Sequence, residues 1–241
     1  MKKELHGQAA LVTGGSRGIG FGIAHALVKH GLNVAVTGRD ESSLAEARRR
    51  LEGIGGGRVE TFAVDVRDHA AIARTISATA AAFGGLDVVV NNAGIGSFVL
   101  VADMTPAQWA EVIDTNVTGV FNVCNAALPA LRQRGGGYIF NISSLAGKNP
   151  FVGAGAYCAS KAALNQFSEV LNQEVRHDNI KVTTIAPGSV ATAFAGGDES
   201  RGADWKIASS DIGELVIDLL ELDTRSLPSY IEMRPSKPPK K

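Results

Sequence analysis

The 241-residue chain is long enough to bury an α/β core, and 45% of it is hydrophobic. Its 24 basic side chains equal its 24 acidic ones, so no net charge draws it to a polyanion, and nucleic acid is not an expected partner. No apolar run approaches the ~18 residues of a membrane span, and two cysteines, Cys124 and Cys158, suit free thiols in a reducing, cytoplasmic setting.

Short apolar runs alternate with longer segments at helical spacing. AALVTG (9–14) reads as a first strand running into TGGSRGIG, and a helix follows over IGFGIAHALVKHG (19–31). NVAVTG (33–38) is a second strand, followed by a helix SSLAEARRRLEG (42–53) for which Asp40 and Ser42 are suited as caps. VETFAVDV (59–66), LDVVVNNAG (86–94), GYIFNIS (137–143), IKVTTIAPG (180–188) and SYIEMRP (229–235) complete the strands. PAQWAEVIDTNVTGVFNVCNAALPALRQ (106–133) and AYCASKAALNQFSEVLNQEVRH (156–177) read as helices, with Trp109 as core or interhelix packing. Near-continuous apolar strands belong to a parallel sheet covered on both faces. The alternation predicts a single doubly wound, Rossmann-type α/β domain over 1–241, with a parallel sheet of about seven strands and helices on both faces. A substrate lid is expected over 193–211, from the glycine-rich AFAGGDESRGAD, and a flexible tail over 236–241.

Parallel sheets place ligands at the carboxyl ends of their strands, where this chain carries TGG, TGR, DV, NNAG, NISS and APG. Gly14, Gly18 and Gly20 permit a tight turn and a close approach of backbone to a pyrophosphate, with Ser16, Arg17 and Ile19 between them. Gly38 stands where an acid would bind the ribose 2′-hydroxyl of NAD; Arg39 and Arg17 converge there instead and suit a 2′-phosphate. The predicted cofactor is NADP(H). Asp65 and Val66 are candidates for the adenine edge, and Asn92, Ala93 and Gly94 for the adenine ribose. The five histidines show no ligand spacing, so no metal is expected.

Tyr157 and Lys161, four apart on a predicted helix, share a face, and an ammonium beside a phenol should lower the phenol's pKa. TGGSRGIG, NNAG, Ser144 thirteen residues before the tyrosine, YCASK and PGSVAT occur in that order. Together they make the chain resemble the classical short-chain dehydrogenase/reductase family, nearest to its 3-oxoacyl-(acyl-carrier-protein) reductase-like branch.

The resemblance implies a hydride-transfer enzyme. Tyr157 would be the acid/base, Lys161 would lower its pKa and hold the nicotinamide ribose, and Ser144 would polarise the carbonyl beside its structural neighbour Ser143. Asn116 would support the lysine, and Pro187, Gly188, Val190 and Thr192 would fix the carboxamide. The expected activity is NADPH-dependent reduction of a ketone or aldehyde, on a small-molecule carbonyl or alcohol contacting Ser144, Tyr157, Phe194 and Trp205. The alternatives are a 3-oxoacyl thioester reductase, from which the C-terminus RSLPSYIEMRPSKPPKK departs, and a catalytically silent NADP-binding sensor or scaffold. A homodimer or homotetramer is implied, through the faces bearing FNVCNAALPAL and Ala163, Phe167 and Val170.

Overall fold

The computed structural model describes residues 5–198, 200 and 202–239. Seven strands form one sheet: β1 (Ala9–Thr13), β2 (Asn33–Gly38), β3 (Val59–Ala63), β4 (Val88–Asn91), β5 (Gly137–Ile142), β6 (Ile180–Pro187) and β7 (Tyr230–Met233). Their spatial order is β3-β2-β1-β4-β5-β6-β7 and every pairing is parallel. The doubly wound fold expected from the alternation is the one observed.

Two apolar cores explain the continuous strand hydrophobicity. Ala10 and Val12 of β1 join Ile23 and Leu27 of α1 (Gly18–Lys29) and Ile212 and Val216 of α7 (Ser209–Glu221) on one face. Leu11, between them in sequence, points to the opposite core, as the two-residue period of a strand requires. There it meets Ile72 of α3 (His69–Phe83), Val123 of α5 (Gly119–Gln133) and Leu164 of α6 (Gly155–Val175). Helix α2 (Glu41–Glu52) begins as anticipated: Asp40 accepts from the Ser43 amide at 2.7 Å and from Ser42 Oγ at 2.7 Å. Bonds from Ser43 and Ser42 hold that carboxyl down at about 2.

The structure refines one expectation and corrects two. Residues 106–133 are helical throughout, as expected, but not as one uninterrupted α-helix. Thr105 and Gln108 close a capping box ahead of α4 (Pro106–Ile113), then a π-helical turn, Asp114–Thr118, separates α4 from α5. Trp109 lies on the open side of α4, 45% exposed, and is not a core residue. Of the segment expected as a lid, 193–211, the residues from Ser209 onward already belong to α7 and not to a loop. An isolated bridge between Val190 and Ile207 closes its base, with Ala191 N donating to Ile207 O at 2.9 Å. Residues 199 and 201 of that segment, and 240–241 of the expected tail, lie outside the described residues. Among the described residues no helix is long and apolar enough to cross a membrane.

Candidate active site

The sheet order reverses direction of growth between β1 and β4, which opens a crevice at their carboxyl ends. Thr13 holds the two ends together: its Oγ1 accepts from the amides of Asn92 at 3.0 Å and Ala93 at 3.1 Å and donates to Val90 O at 3.3 Å. Asn92 turns its own amide inward, donating to Thr13 O at 3.0 Å and Gly14 O at 2.9 Å. It therefore fastens the glycine turn.

Gly14 and Gly18 adopt left-handed backbone, at φ 61° and 56°, which a side chain would resist. At Gly20 a Cβ would fall 2.4 Å from Asn92 Nδ2 and from Gly14 O. Helix α1 starts behind this turn without a side-chain cap from Arg17, so its first amides and dipole face the crevice. Thr192 leans over the same turn, with Cγ2 3.4 Å from where a Gly18 Cβ would lie. Val190 packs against the core and Pro187 ends β6, while Gly188 N donates to Met233 O at 2.8 Å.

At the end of β2, Gly38 brings no acidic side chain, and a Cβ there would only touch Leu44 Cδ2 at 3.5 Å and Ser16 Oγ at 3.6 Å. Arg17 and Arg39 are exposed on either side, and neither makes an ion pair with any described residue. Both reach this corner: Arg17 contributes to the lowered pKa of Asp40, and Arg39 to that of Asp65. A crevice with bare backbone, free helix-terminal amides and two unpaired guanidiniums fits an adenine dinucleotide carrying an extra phosphate. Asp65 is engaged by Arg67, at 2.6 Å, which holds its carboxyl below the usual range. Val66 is buried against Gly119, and its carbonyl accepts from Asn122 Nδ2 at 2.9 Å.

The second cluster lies beyond the ends of β4 and β5. Tyr157, on the first turn of α6, is 9% exposed. Burial pushes its phenol above the ordinary value of 10, and a hydrogen bond with the Ser144 hydroxyl pulls the other way. This overturns the expected direction. Lys161 Nζ stands 5.9 Å from the Tyr157 ring centroid and donates instead to Ile142 O at 2.9 Å. Its own pKa is lowered to about 8 by burial. Ser144 caps a short 3-10 turn, its Oγ accepting from Ala146 N at 3.1 Å while the same hydroxyl meets the Tyr157 phenol. Ser143 is turned away onto Asn165 Oδ1 at 2.6 Å.

The π-helical turn brings Asn116 into this cluster. Its Oδ1 accepts from Ile95 N at 2.8 Å, and its Nδ2 donates to Ile95 O at 2.9 Å and Ser160 Oγ at 3.0 Å. Ser160 in turn donates to Tyr157 O at 2.7 Å, tying the turn to the helix that carries the phenol. Gly94 has no side chain to separate them: a Cβ there would lie 3.2 Å from Asn116 Oδ1 and 3.7 Å from Lys161 Nζ. Thr13 and Ser160 escaped the sequence reading because buried hydroxyls leave no spacing signal.

Of the four predicted substrate residues, Ser144 and Tyr157 belong to this cluster, and Phe194 meets Tyr157 at 5.7 Å between ring centroids. Trp205 folds back on its own loop instead, its Nε1 2.5 Å from where a Gly202 Cβ would stand. Phe98, at 5.8 Å from the Tyr157 ring, and Phe151, at 5.9 Å from Phe98, complete the surroundings and were not anticipated.

This geometry has counterparts. Over 232 residues the chain is 35% identical to an uncharacterized oxidoreductase of Staphylococcus saprophyticus, covering 96% of this chain and 99% of that one. It is 40% identical to a 3-oxoacyl-(acyl-carrier-protein) reductase of Chlamydia muridarum, over 82% of this chain and 79% of the relative. Its backbone superposes on a metagenomic short-chain oxidoreductase, solved in complex with NADP, with a TM-score of 0.85 and 36% identity, covering 98% and 100% of the two chains. The family model described as short chain dehydrogenase matches residues 8–201. With its crevice, its glycine turn and its Ser-Tyr-Lys cluster on one parallel sheet, the chain belongs to the short-chain dehydrogenase family of oxidoreductases.

Proposed function

We propose that the chain reduces a ketone or aldehyde to an alcohol with NADPH, and that Tyr157 donates the proton. The observation that carries this is the convergence of a buried, protonated phenol, a serine hydroxyl and a buried lysine beside the crevice. NADPH, when bound, supplies the hydride. Ser144 and Tyr157 present two O–H donors to one carbonyl oxygen, and negative charge growing on that oxygen is stabilised by both. As the charge develops, the phenol's proton moves onto the oxygen. A phenol held above its ordinary pKa keeps that proton throughout the neutral range, which suits a donor in the reductive direction. Lys161, at about 8, is largely protonated at neutral pH and places a cation beside the phenolate that remains. Asn116, through Ser160 and the Ile95 backbone, positions the helix and loop that flank this oxygen.

The unpaired Arg17 and Arg39, with no acidic side chain at Gly38, support NADP over NAD. Gly14, Gly18 and Gly20 would receive the pyrophosphate, and Gly94, Pro187, Gly188 and Thr192 would line the rest of the crevice. The relative of Chlamydia favours a second reading, a 3-oxoacyl thioester as the carbonyl compound. Exposed Phe121 and Val170, on α5 and α6, support a homodimer or homotetramer, and the two free cysteines suit a cytoplasmic protein.

Tyr157→Phe tests the assignment. It keeps the ring and removes the proton, so carbonyl-dependent NADPH oxidation should fall by roughly 10²–10⁴-fold. Turnover equal to that of the wild type would take Tyr157 out of the chemistry.

A further inference from the structure

Resting on the assignment of Tyr157 as the proton donor, we infer that this site takes a neutral carbonyl compound with an aromatic or bulky apolar substituent, gripped by Phe98, Phe151 and Phe194. The three rings come from three loops, each following the carboxyl end of a different strand: β4, β5 and β6. Phe98 meets Tyr157 edge-on, with centroids 5.8 Å apart and planes at 76°; Phe194 is tilted at 5.7 Å; Phe151 lies 5.9 Å from Phe98. Such distances are those of favourable aromatic pairs.

Local features build this arrangement. The bridge between Val99 and Ala154 fastens the Phe98 loop to the Phe151 loop. Gly96 has no side chain, and a Cβ there would fall 2.9 Å from Phe194 Cε1 and 3.2 Å from Phe98 Cζ. Only a bare backbone lets both rings close over the phenol at that point.

The rings are 50%, 53% and 42% exposed for Phe98, Phe151 and Phe194, although the tyrosine they surround is buried. Three clustered, half-open phenylalanines beside a catalytic phenol form an apolar surface that gains by being covered. Its charge environment selects the occupant. Residues 95–104 carry one charged side chain, Asp103, and residues 145–155 carry one, Lys148. Lys148 is committed, 3.3 Å from Glu232 and 3.6 Å from the Tyr230 ring centroid. Among the described residues of 193–208 the charged side chains are Asp198 and Asp204 against Lys206. Among the described residues these three loops thus carry no cationic excess for the phosphates of a coenzyme A or carrier-protein thioester, and they offer an aromatic wall for an uncharged ring.

The test compares acetophenone, acetone and acetoacetyl-coenzyme A as substrates with NADPH, for the wild type, Tyr157→Phe, Phe98→Ala, Phe98→Leu and Phe194→Ala. Acetophenone should exceed the other two in kcat/KM by at least about 10²-fold. Phe98→Ala and Phe194→Ala should lower kcat/KM for acetophenone at least tenfold more than for acetone, with the change in KM exceeding that in kcat, and Phe98→Leu should restore part of it. Preference for acetoacetyl-coenzyme A, or equal losses on acetophenone and acetone, overturns the aromatic grip. If that preference is abolished by Tyr157→Phe, the proton-donor assignment survives the failure. Turnover insensitive to Tyr157→Phe, or absent for all three carbonyls, overturns both.

Discussion

Lys161 is a buried residue whose ionisation the fold opposes. It is 5% exposed, its Nζ has the Ile142 carbonyl for a partner, and burial brings its pKa down from 10.5 to about 8. The sign follows from which state holds the proton more tightly. Between about 8 and 10.5 the unfolded chain keeps it while the folded chain has released it, so stability rises with pH in that window. Below about 8 the cost of the buried charge is fully present, of the order of 3 kcal/mol. Lys161→Met removes that cost and also the bond to Ile142, which contributes about 1 kcal/mol. The variant should therefore be more stable than the wild type by roughly 1–2 kcal/mol at pH 7 and inactive, with the gap narrowing toward pH 10.5. Urea unfolding at several pH values measures it. A gap that does not change with pH, or a less stable variant, would show that burial does not penalise this charge. The residue is kept at a cost to stability, which is the expected signature of a group held for chemistry rather than for packing.

At the scale of elements, helix α1 must serve two masters: its amino end faces the crevice, and its side packs on α7. The packing is backbone against backbone. A Cβ on Gly213 would fall 2.5 Å from Gly22 O and 3.0 Å from Ala26 Cβ, and one on Gly22 would fall 2.4 Å from Ser209 O. Gly213→Ala improves intrinsic helix propensity by about 1 kcal/mol, yet it has to force the two helices apart, which costs about 1–3 kcal/mol and more where backbone is the obstacle. A net loss of stability, read as a thermal midpoint several degrees lower, is expected, together with weaker cofactor binding as the α1 terminus shifts. A midpoint at or above that of the wild type would mean that α7 can move away without consequence. Elements differ in how far their sequences reveal them. The seven strands were legible because buried parallel strands are continuously apolar and stop at small residues, and the glycine turn because its spacing is tied to a strand end. The π-helical turn was not, since the apolar period runs on through DTNVTG and only the positioning of Asn116 exposes the extra residue. Phe98 and Phe151 were missed for a different reason: 53 residues apart in sequence, they are brought together by strand order alone. The placing of Trp205 against Gly202 of its own loop was not legible either, because loop composition leaves no period from which an aromatic's neighbour can be read.

For the whole molecule, 24 positive and 24 negative side chains cancel, so any preference for a more anionic cofactor has to be local. Arg17 and Arg39 are the candidates for it at one corner of the sheet, where β2 ends without an acid and neither guanidinium forms an ion pair with a described residue, Asp40 and Asp65 acting on them only at longer range. Ligand binding to the folded state alone stabilises it in proportion to saturation, by about 2.7 kcal/mol at a hundred times the dissociation constant. NADP⁺ should therefore raise the thermal midpoint at concentrations where NAD⁺ does little. Arg39→Asp removes one charge-assisted contact, worth roughly 1.5–3 kcal/mol, and sets a like charge against the phosphate. NADP⁺ binding should weaken by at least about tenfold to a hundredfold while NAD⁺ binding changes by no more than a few-fold. Because both arginines are exposed, added salt should narrow the wild-type preference as the screening length falls from about 10 Å at 0.1 M to about 3 Å at 1 M. Equal stabilisation of the wild type by the two dinucleotides at low salt would remove the phosphate from this corner, and would leave Arg17 and Arg39 as ordinary surface charges on an enzyme that uses NAD.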